Sequence, residues 1–169
     1  KVVIILDQDP STHTRGVVSD SFEAGVRVAA SLGVHHLAEG FSVTLEGTNG
    51  KLCGPLRVGR ARIELLDVLA KVERDPGALS KTLSRLAATI PPDAHVALIT
   101  PLLDAASAAS LKLMTARGRS VIVAALMWTP DAVDTLGTAS TLGVSVVEIG
   151  PNSTLSRAFA HGVGARRGG

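Results

Sequence analysis

Short apolar runs recur along this chain, separated by stretches with helical spacing, and that alternation constrains the fold more than any other feature. Val2-Val3-Ile4-Ile5-Leu6 contains no polar residue, which is the pattern of a strand covered on both faces. Val96 to Thr100 and Val121 to Met127 read as further buried strands, and Val144 to Ile149 as the last strand. Phe22, Val26, Ala29, Ala30, Gly33 and Leu37 predict a helix from about Asp20 to Ala38, with Gly40 placed to end it. Further helices are expected around Ile63, Leu66 and Leu69, and from the Asp75-Pro76 cap through Leu79, Leu83 and Leu86. Another contains Leu103, Leu111 and Met114 and closes at Gly118; one starts at Thr129-Pro130-Asp131, and a short one follows Ser153. Strands alternating with helices imply a parallel sheet with helices on both faces.

One segment departs from that pattern. Phe41-Ser42-Val43-Thr44-Leu45 alternates apolar and polar residues, and Thr48-Asn49-Gly50 leads to a short return over Lys51 to Cys53. Asn-Gly favours a tight hairpin because both positions tolerate positive φ. The predicted architecture is therefore a doubly wound, mostly parallel, three-layer α/β sandwich of Rossmann-like form with one antiparallel edge hairpin. No repeat or linker divides it, so residues 1–161 read as one domain and 162–169 as a flexible Gly/Arg tail.

Composition narrows the function. The 169 residues are 46% hydrophobic, enough to bury a continuous core. Aromatic residues make up only 2%, too few for a base-stacking nucleic-acid surface. The net charge of +2 is modest, and Arg166-Arg167 is its only dense point. Cys53 stands alone, so it reads as a small buried hydrophobe. No apolar run reaches the roughly 20 residues that span a bilayer, so membrane insertion by this chain itself is not expected. The start at Lys1, directly before a strand, suggests the soluble part of a longer protein.

In open α/β sheets, ligands sit beyond the C-terminal ends of strands, where strand order reverses. The first apolar run leads into Asp7-Gln8-Asp9-Pro10-Ser11, and the fourth strand into Thr100-Pro101-Leu102-Leu103-Asp104. Asp7, Asp9, Ser11, His13, Thr100 and Asp104 are thus the expected binding surface.

A DxSxS-like loop after the first strand, with an antiparallel hairpin after the first helix, resembles the von Willebrand A fold. More narrowly, three stretches resemble the bacterial "domain of unknown function 58" family. They are Ser21-Phe22-Glu23-Ala24-Gly25-Val26 with Ala29-Ala30-Ser31-Leu32, Leu98 to Asp104, and Gly150 to Phe159. That resemblance implies upstream transmembrane helices, a domain on the cytoplasmic face of the inner membrane, and a MoxR-type AAA+ ATPase as partner. The von Willebrand A resemblance implies a metal-ion-dependent adhesion site, which needs hard oxygen ligands from three loops. Asp7 and Ser11 keep the ends of the first loop, but Asp9 replaces its middle serine. Asp75-Pro76-Gly77-Ala78-Leu79 lacks the second loop's threonine, and Pro101 stands after Thr100 where the third supplies an aspartate. The expected site is therefore degenerate: Asp7, Asp9 and Ser11 hold magnesium weakly through water or not at all, and no other cofactor is implied.

The strongest enzymatic alternative is a haloacid-dehalogenase-like, magnesium-dependent phosphatase. Leu6-Asp7-Gln8-Asp9-Pro10-Ser11 nearly matches its first motif, with Asp7 as nucleophile and Asp9 as general acid. Thr100 would bind phosphate, with Lys112 and Asp131 in the remaining roles. The helix after the motif replaces the hairpin flap that such enzymes insert there. Nucleotide loops are missing, since neither a glycine-rich turn nor GxxxxGK[ST] occurs. Ser11 and His13 lack the GxSxG elbow of a hydrolase. Plainer roles suit the remaining residues: His35-His36 at a helix end, His95 and His161 in solvent, Glu23 on the surface, Trp128 at a packing rim. A non-enzymatic protein-interaction domain is the reading that results.

Overall fold

The computed structural model describes residues 1–13, 20–57, 59–129 and 132–154. Its elements run β1 (Val2–Leu6), α1 (Ser21–Ala38), β2 (Val43–Gly47), β3 (Gly50–Leu56), α2 (Ala61–Lys71), α3 (Leu79–Thr89), β4 (His95–Thr100), α4 (Ala105–Ala116), β5 (Ser120–Leu126), α5 (Ala132–Thr141) and β6 (Ser145–Ile149). Asp131, His161, the helix expected beyond Ser153 and the boundary at 161/162 lie outside the described residues.

The strands form one sheet in the order β3-β2-β1-β4-β5-β6. Every pairing is parallel except β2 with β3. The chain moves outward from β1 to β2 and β3, then crosses back to place β4 on the other side of β1. The reversal point therefore falls between β1 and β4, where the sequence placed its crevice.

Alternation along β1 splits the core into two layers, as period-2 geometry requires. Val2, Ile4 and Leu6 pack with Phe22, Val28 and Ala29 of α1 and Leu65 and Leu69 of α2. Val3 and Ile5 belong to the opposite layer, with Leu83 and Leu86 of α3, Leu111 and Met114 of α4, and Ala139 of α5. Cys53 is buried in the first layer, and Trp128 lies half-buried against it.

Several local expectations need correction. In α2 the buried residues are Ala61, Leu65 and Leu69, while Ile63 and Leu66 face solvent. The Asp75-Pro76 cap does not open α3, which starts at Leu79 after Ala78 with no side-chain cap. Tertiary bonds hold the preceding segment extended: the Asp75 amide donates to the Gln8 carbonyl, and Asn49 Nδ2 donates to the Pro76 carbonyl. The hairpin turns on Thr48 and Asn49 between the paired Gly47 and Gly50, and no described non-glycine residue has positive φ. Thr82 Oγ1 donates to the Thr48 carbonyl at 2.7 Å, tying the turn to α3, and Gly50 takes a positive φ of 140°. Asp104 is not inside α4; it is the N-cap, its Oδ1 accepting from the Ser107 amide at 2.7 Å.

Gly33 lets α1 and α2 approach closely. A Cβ there would lie 2.3 Å from Leu65 Cδ2, and Leu65 is fully buried. Alanine improves helix propensity by about 1 kcal/mol, but overpacking costs about 1–3 kcal/mol. Gly33→Ala is therefore expected to lower unfolding free energy by about 1 kcal/mol in urea titration; a gain in stability would contradict this packing.

Candidate functional site

β1 ends by delivering Asp7 into the reversal point, where the Asp7 amide donates to the Ile99 carbonyl of β4 at 2.9 Å. Its side chain has no exposed surface. Thr100 Oγ1 lies 2.7 Å and Thr12 Oγ1 3.1 Å from Asp7 Oδ2, and the Asp9 amide donates to Oδ1 at 3.0 Å. Burial pushes the Asp7 carboxyl above the ordinary carboxylate range, against the pull of Thr100, Asp9, His13 and Thr12.

Proton counting points the same way. Thr100 Oγ1 is also 2.8 Å from the Leu102 carbonyl, and Thr12 Oγ1 is 2.9 Å from the Asp9 carbonyl. Each hydroxyl thus meets two acceptors with a single proton. A proton on Asp7 Oδ2 satisfies one more of these contacts than the ionised form can. Asp7 is a buried hydrogen-bonded hub rather than a surface charge.

His13 is buried beside it. Nε2 lies 2.9 Å from the Asp7 carbonyl and Nδ1 lies 3.0 Å from Ser21 Oγ. The carbonyl can only accept, so Nε2 carries the proton and Nδ1 accepts from the serine in the neutral ring. The ring also meets Phe22 edge-on at 5.4 Å. Burial lowers the His13 pKa, outweighing the Asp7 carbonyl and carboxylate, which raise it.

Two further elements lock onto this loop. Gln8 Oε1 accepts from the Thr48 amide at 3.2 Å, its Nε2 donates to the Glu73 carbonyl at 2.8 Å, and its backbone N–H donates to Thr48 Oγ1 at 2.7 Å. One buried side chain so ties the β1 loop to the hairpin tip and to the segment after α2. Arg74 pairs with Asp20, the N-cap of α1, and its guanidinium carbon sits 5.3 Å from the Phe22 ring centroid. Burial raises the Asp20 pKa, but the Arg74 hydrogen bond and charge, with the Phe22 and Glu23 amides, outweigh it and hold it below the usual value.

The structure thus gathers Asp7, Asp9, His13 and Thr100, but only some of the expected surface residues reach solvent. Asp7, His13 and Thr100 are buried; Asp9 is half-buried; Ser11 and Asp104 are exposed. Asp9 Oδ1 accepts from the Ser11 amide at 2.9 Å, an Asx turn that shapes the loop. Thr12, Gln8, Thr48 and Arg74 escaped the sequence reading. Thr12 acts through a local turn onto Asp7 and Asp9, whereas Gln8, Thr48 and Arg74 act through residues distant in the chain.

A magnesium ion needs near-octahedral oxygens with free lone pairs. Asp7 and Thr100 turn theirs toward each other, Pro101 is buried without a side-chain donor, and Ala78 stands before α3 without a hydroxyl. Among the described residues no group of three or more His, Cys, Asp or Glu could hold a metal ion. This donor set does not fit the octahedron.

A six-stranded sheet of this order, with one antiparallel edge pair and a crest built from the β1 and β4 loops, is the architecture of the von Willebrand A fold. Among solved structures, the chain is similar to a von Willebrand factor type A protein from Catenulispora acidiphila, with a TM-score of 0.58 and 17% sequence identity. That match covers 88% of this chain and 38% of the other, and at such identity it speaks to fold alone. No family model matches the chain, and no curated protein matches it. No helix among the described residues is long and apolar enough to cross a membrane.

Proposed function

We propose that this chain is a non-enzymatic protein-interaction domain whose docking face is the crest formed by residues 7–13 and 100–104. The inward-turned Asp7 hub carries this reading. It fixes the geometry of the crest loops through Thr12, Thr100 and Asp9, leaving Asp9 and Asp104 to present charge and Leu102 to present apolar surface. In place of a metal that captures a partner's carboxylate, the degenerate adhesion site offers carboxylates to a basic loop. The partner we assign is a MoxR-type AAA+ ATPase, with the chain belonging to a membrane-tethered protein of the domain of unknown function 58 family at the cytoplasmic face of the inner membrane. The stretches from Ser21, Leu98 and Gly150 support that finer assignment.

Charge-only variants test it. Asp9→Asn preserves an acceptor for the Ser11 amide, and Asp104→Asn preserves the α4 cap. The double variant is expected to bind a MoxR-type ATPase about ten-fold more weakly and with a shallower salt dependence. Unchanged affinity would overturn the proposal. Magnesium-dependent turnover of an aryl phosphate that is lost in Asp7→Asn would put the phosphatase reading in its place.

A further inference from the structure

A groove of about 490 Å³ opens beside the crest, between the edge strand β3 and the C-terminal end of α2. Leu52, Val68 and Val72 line it; all three are half-exposed and pack on their inner sides against the first core layer. Gln8 also lines it, but both ends of its amide are already bound to Thr48 and Glu73. The floor therefore offers apolar area, while the charged side chains Lys71, Glu73, Arg74 and Asp75 stand around it. The groove adjoins the crest directly, because Gln8 sits between Asp7 and Asp9.

Charge on the rim is unequal. Glu73 and Asp75 are exposed, and neither takes part in an ion pair among the described residues. Arg74, between them in sequence, is neutralised by Asp20. Lys71 is the remaining cation, and it stands at the last turn of α2, whose terminal carbonyls carry partial negative charge. The rim is net acidic around an apolar floor.

We propose that this groove seats an apolar side chain of a protein partner, with an adjacent basic residue of that partner held by Glu73 and Asp75. The proposal rests on the crest being a protein-docking face, and it adds the sequence chemistry of the partner: an apolar anchor with a Lys or Arg beside it. Burial of the anchor supplies affinity, and the two carboxylates supply the preference for a basic neighbour.

The probe is a randomised 12-residue peptide library displayed on phage and selected on the full chain. The expected consensus is a Leu, Val, Ile or Met followed within about two positions by Lys or Arg. Selected peptides are expected to bind Val68→Asp/Val72→Asp about ten-fold more weakly. Glu73→Lys/Asp75→Lys alters only exposed side chains, so it keeps the test decisive if the first variant fails to fold. It is expected to shift the selected flank from basic to acidic. No apolar–basic consensus, or peptides bound equally well by the charge-swapped chain, would overturn the groove. Peptides weakened by Asp9→Asn/Asp104→Asn but indifferent to the groove variants would overturn it while sparing the crest; indifference to all of them would remove both.

Discussion

Asp7→Ala is expected to lower unfolding free energy by about 2–4 kcal/mol, whereas Asp7→Asn is expected to change it by less than about 1 kcal/mol. Alanine leaves the Asp9 amide without its acceptor and opens a void at a site with no exposed surface. The threonine hydroxyls lose less, because Leu102 and Asp9 carbonyls remain in reach. Asparagine can keep the contacts of a protonated carboxyl: Oδ1 still accepts from the Asp9 amide, and Nδ2 donates to a threonine hydroxyl. A metal-binding carboxylate would behave differently, since magnesium stabilisation would vanish in both variants. Added magnesium is accordingly expected to leave the wild-type Tm unmoved, and a rise in Tm that Asp7→Asn abolishes would contradict the hub.

The pH profile separates the same possibilities. Asp7 has a folded pKa raised from 3.8, so the folded chain binds more protons than the unfolded one between that value and its own pKa. Stability contributed by Asp7 is therefore highest in acid and is lost as pH rises through the folded pKa. His13 and His36 have folded pKa values lowered from 6.5, chiefly by burial. The unfolded chain takes up protons that the folded rings refuse, so stability falls as pH drops below 6.5. In wild type the two slopes oppose each other at acid pH. Asp7→Asn removes only the first, and its stability is expected to fall more steeply on acidification in urea titrations between about pH 4 and pH 7.

The features legible in the sequence were those set by local periodicity or by strand ends. The uninterrupted Val2–Leu6 run gave a doubly covered strand, and the order of strands and helices placed the loops after β1 and β4 side by side. Asp7 and Thr100 are therefore legible from the sequence as residues of two loops flanking one crevice. Their direction is not, because whether a carboxylate faces solvent or a neighbouring hydroxyl depends on packing. Thr12 became part of the hub by a tight local turn, and Arg74 reached Asp20 across 54 residues. The α3 start failed for a related reason: Asp75-Pro76 is a good local cap, but bonds from Gln8 and Asn49 hold that segment extended. Ile63 and Leu66 were misplaced because α2 lies over the sheet edge, where a narrow stripe through Ala61, Leu65 and Leu69 suffices.

Gln8 offers the sharpest test of how the crest is held, because a neighbouring glycine reports on it. Gln8→Ala removes the acceptor of the Thr48 amide and the donor to the Glu73 carbonyl, at an expected cost of about 2–3 kcal/mol. At Gly47 a Cβ would fall 1.8 Å from Gln8 Oε1. The backbone there does not require glycine, since Gly47 is not among the residues with positive φ. Gly47→Ala is therefore expected to cost about as much as Gln8→Ala, by evicting the amide from its two bonds. Once Gln8 is alanine, the new methyl meets chiefly Leu52 Cδ1 at 3.3 Å, a contact that a small shift relieves. The double variant should then be no less stable than Gln8→Ala alone, giving a coupling of about 2 kcal/mol in a double-mutant cycle. Additive losses would mean that Gly47 serves the strand in its own right, and that Gln8 is not what joins the β1 loop, the hairpin tip and the segment after α2.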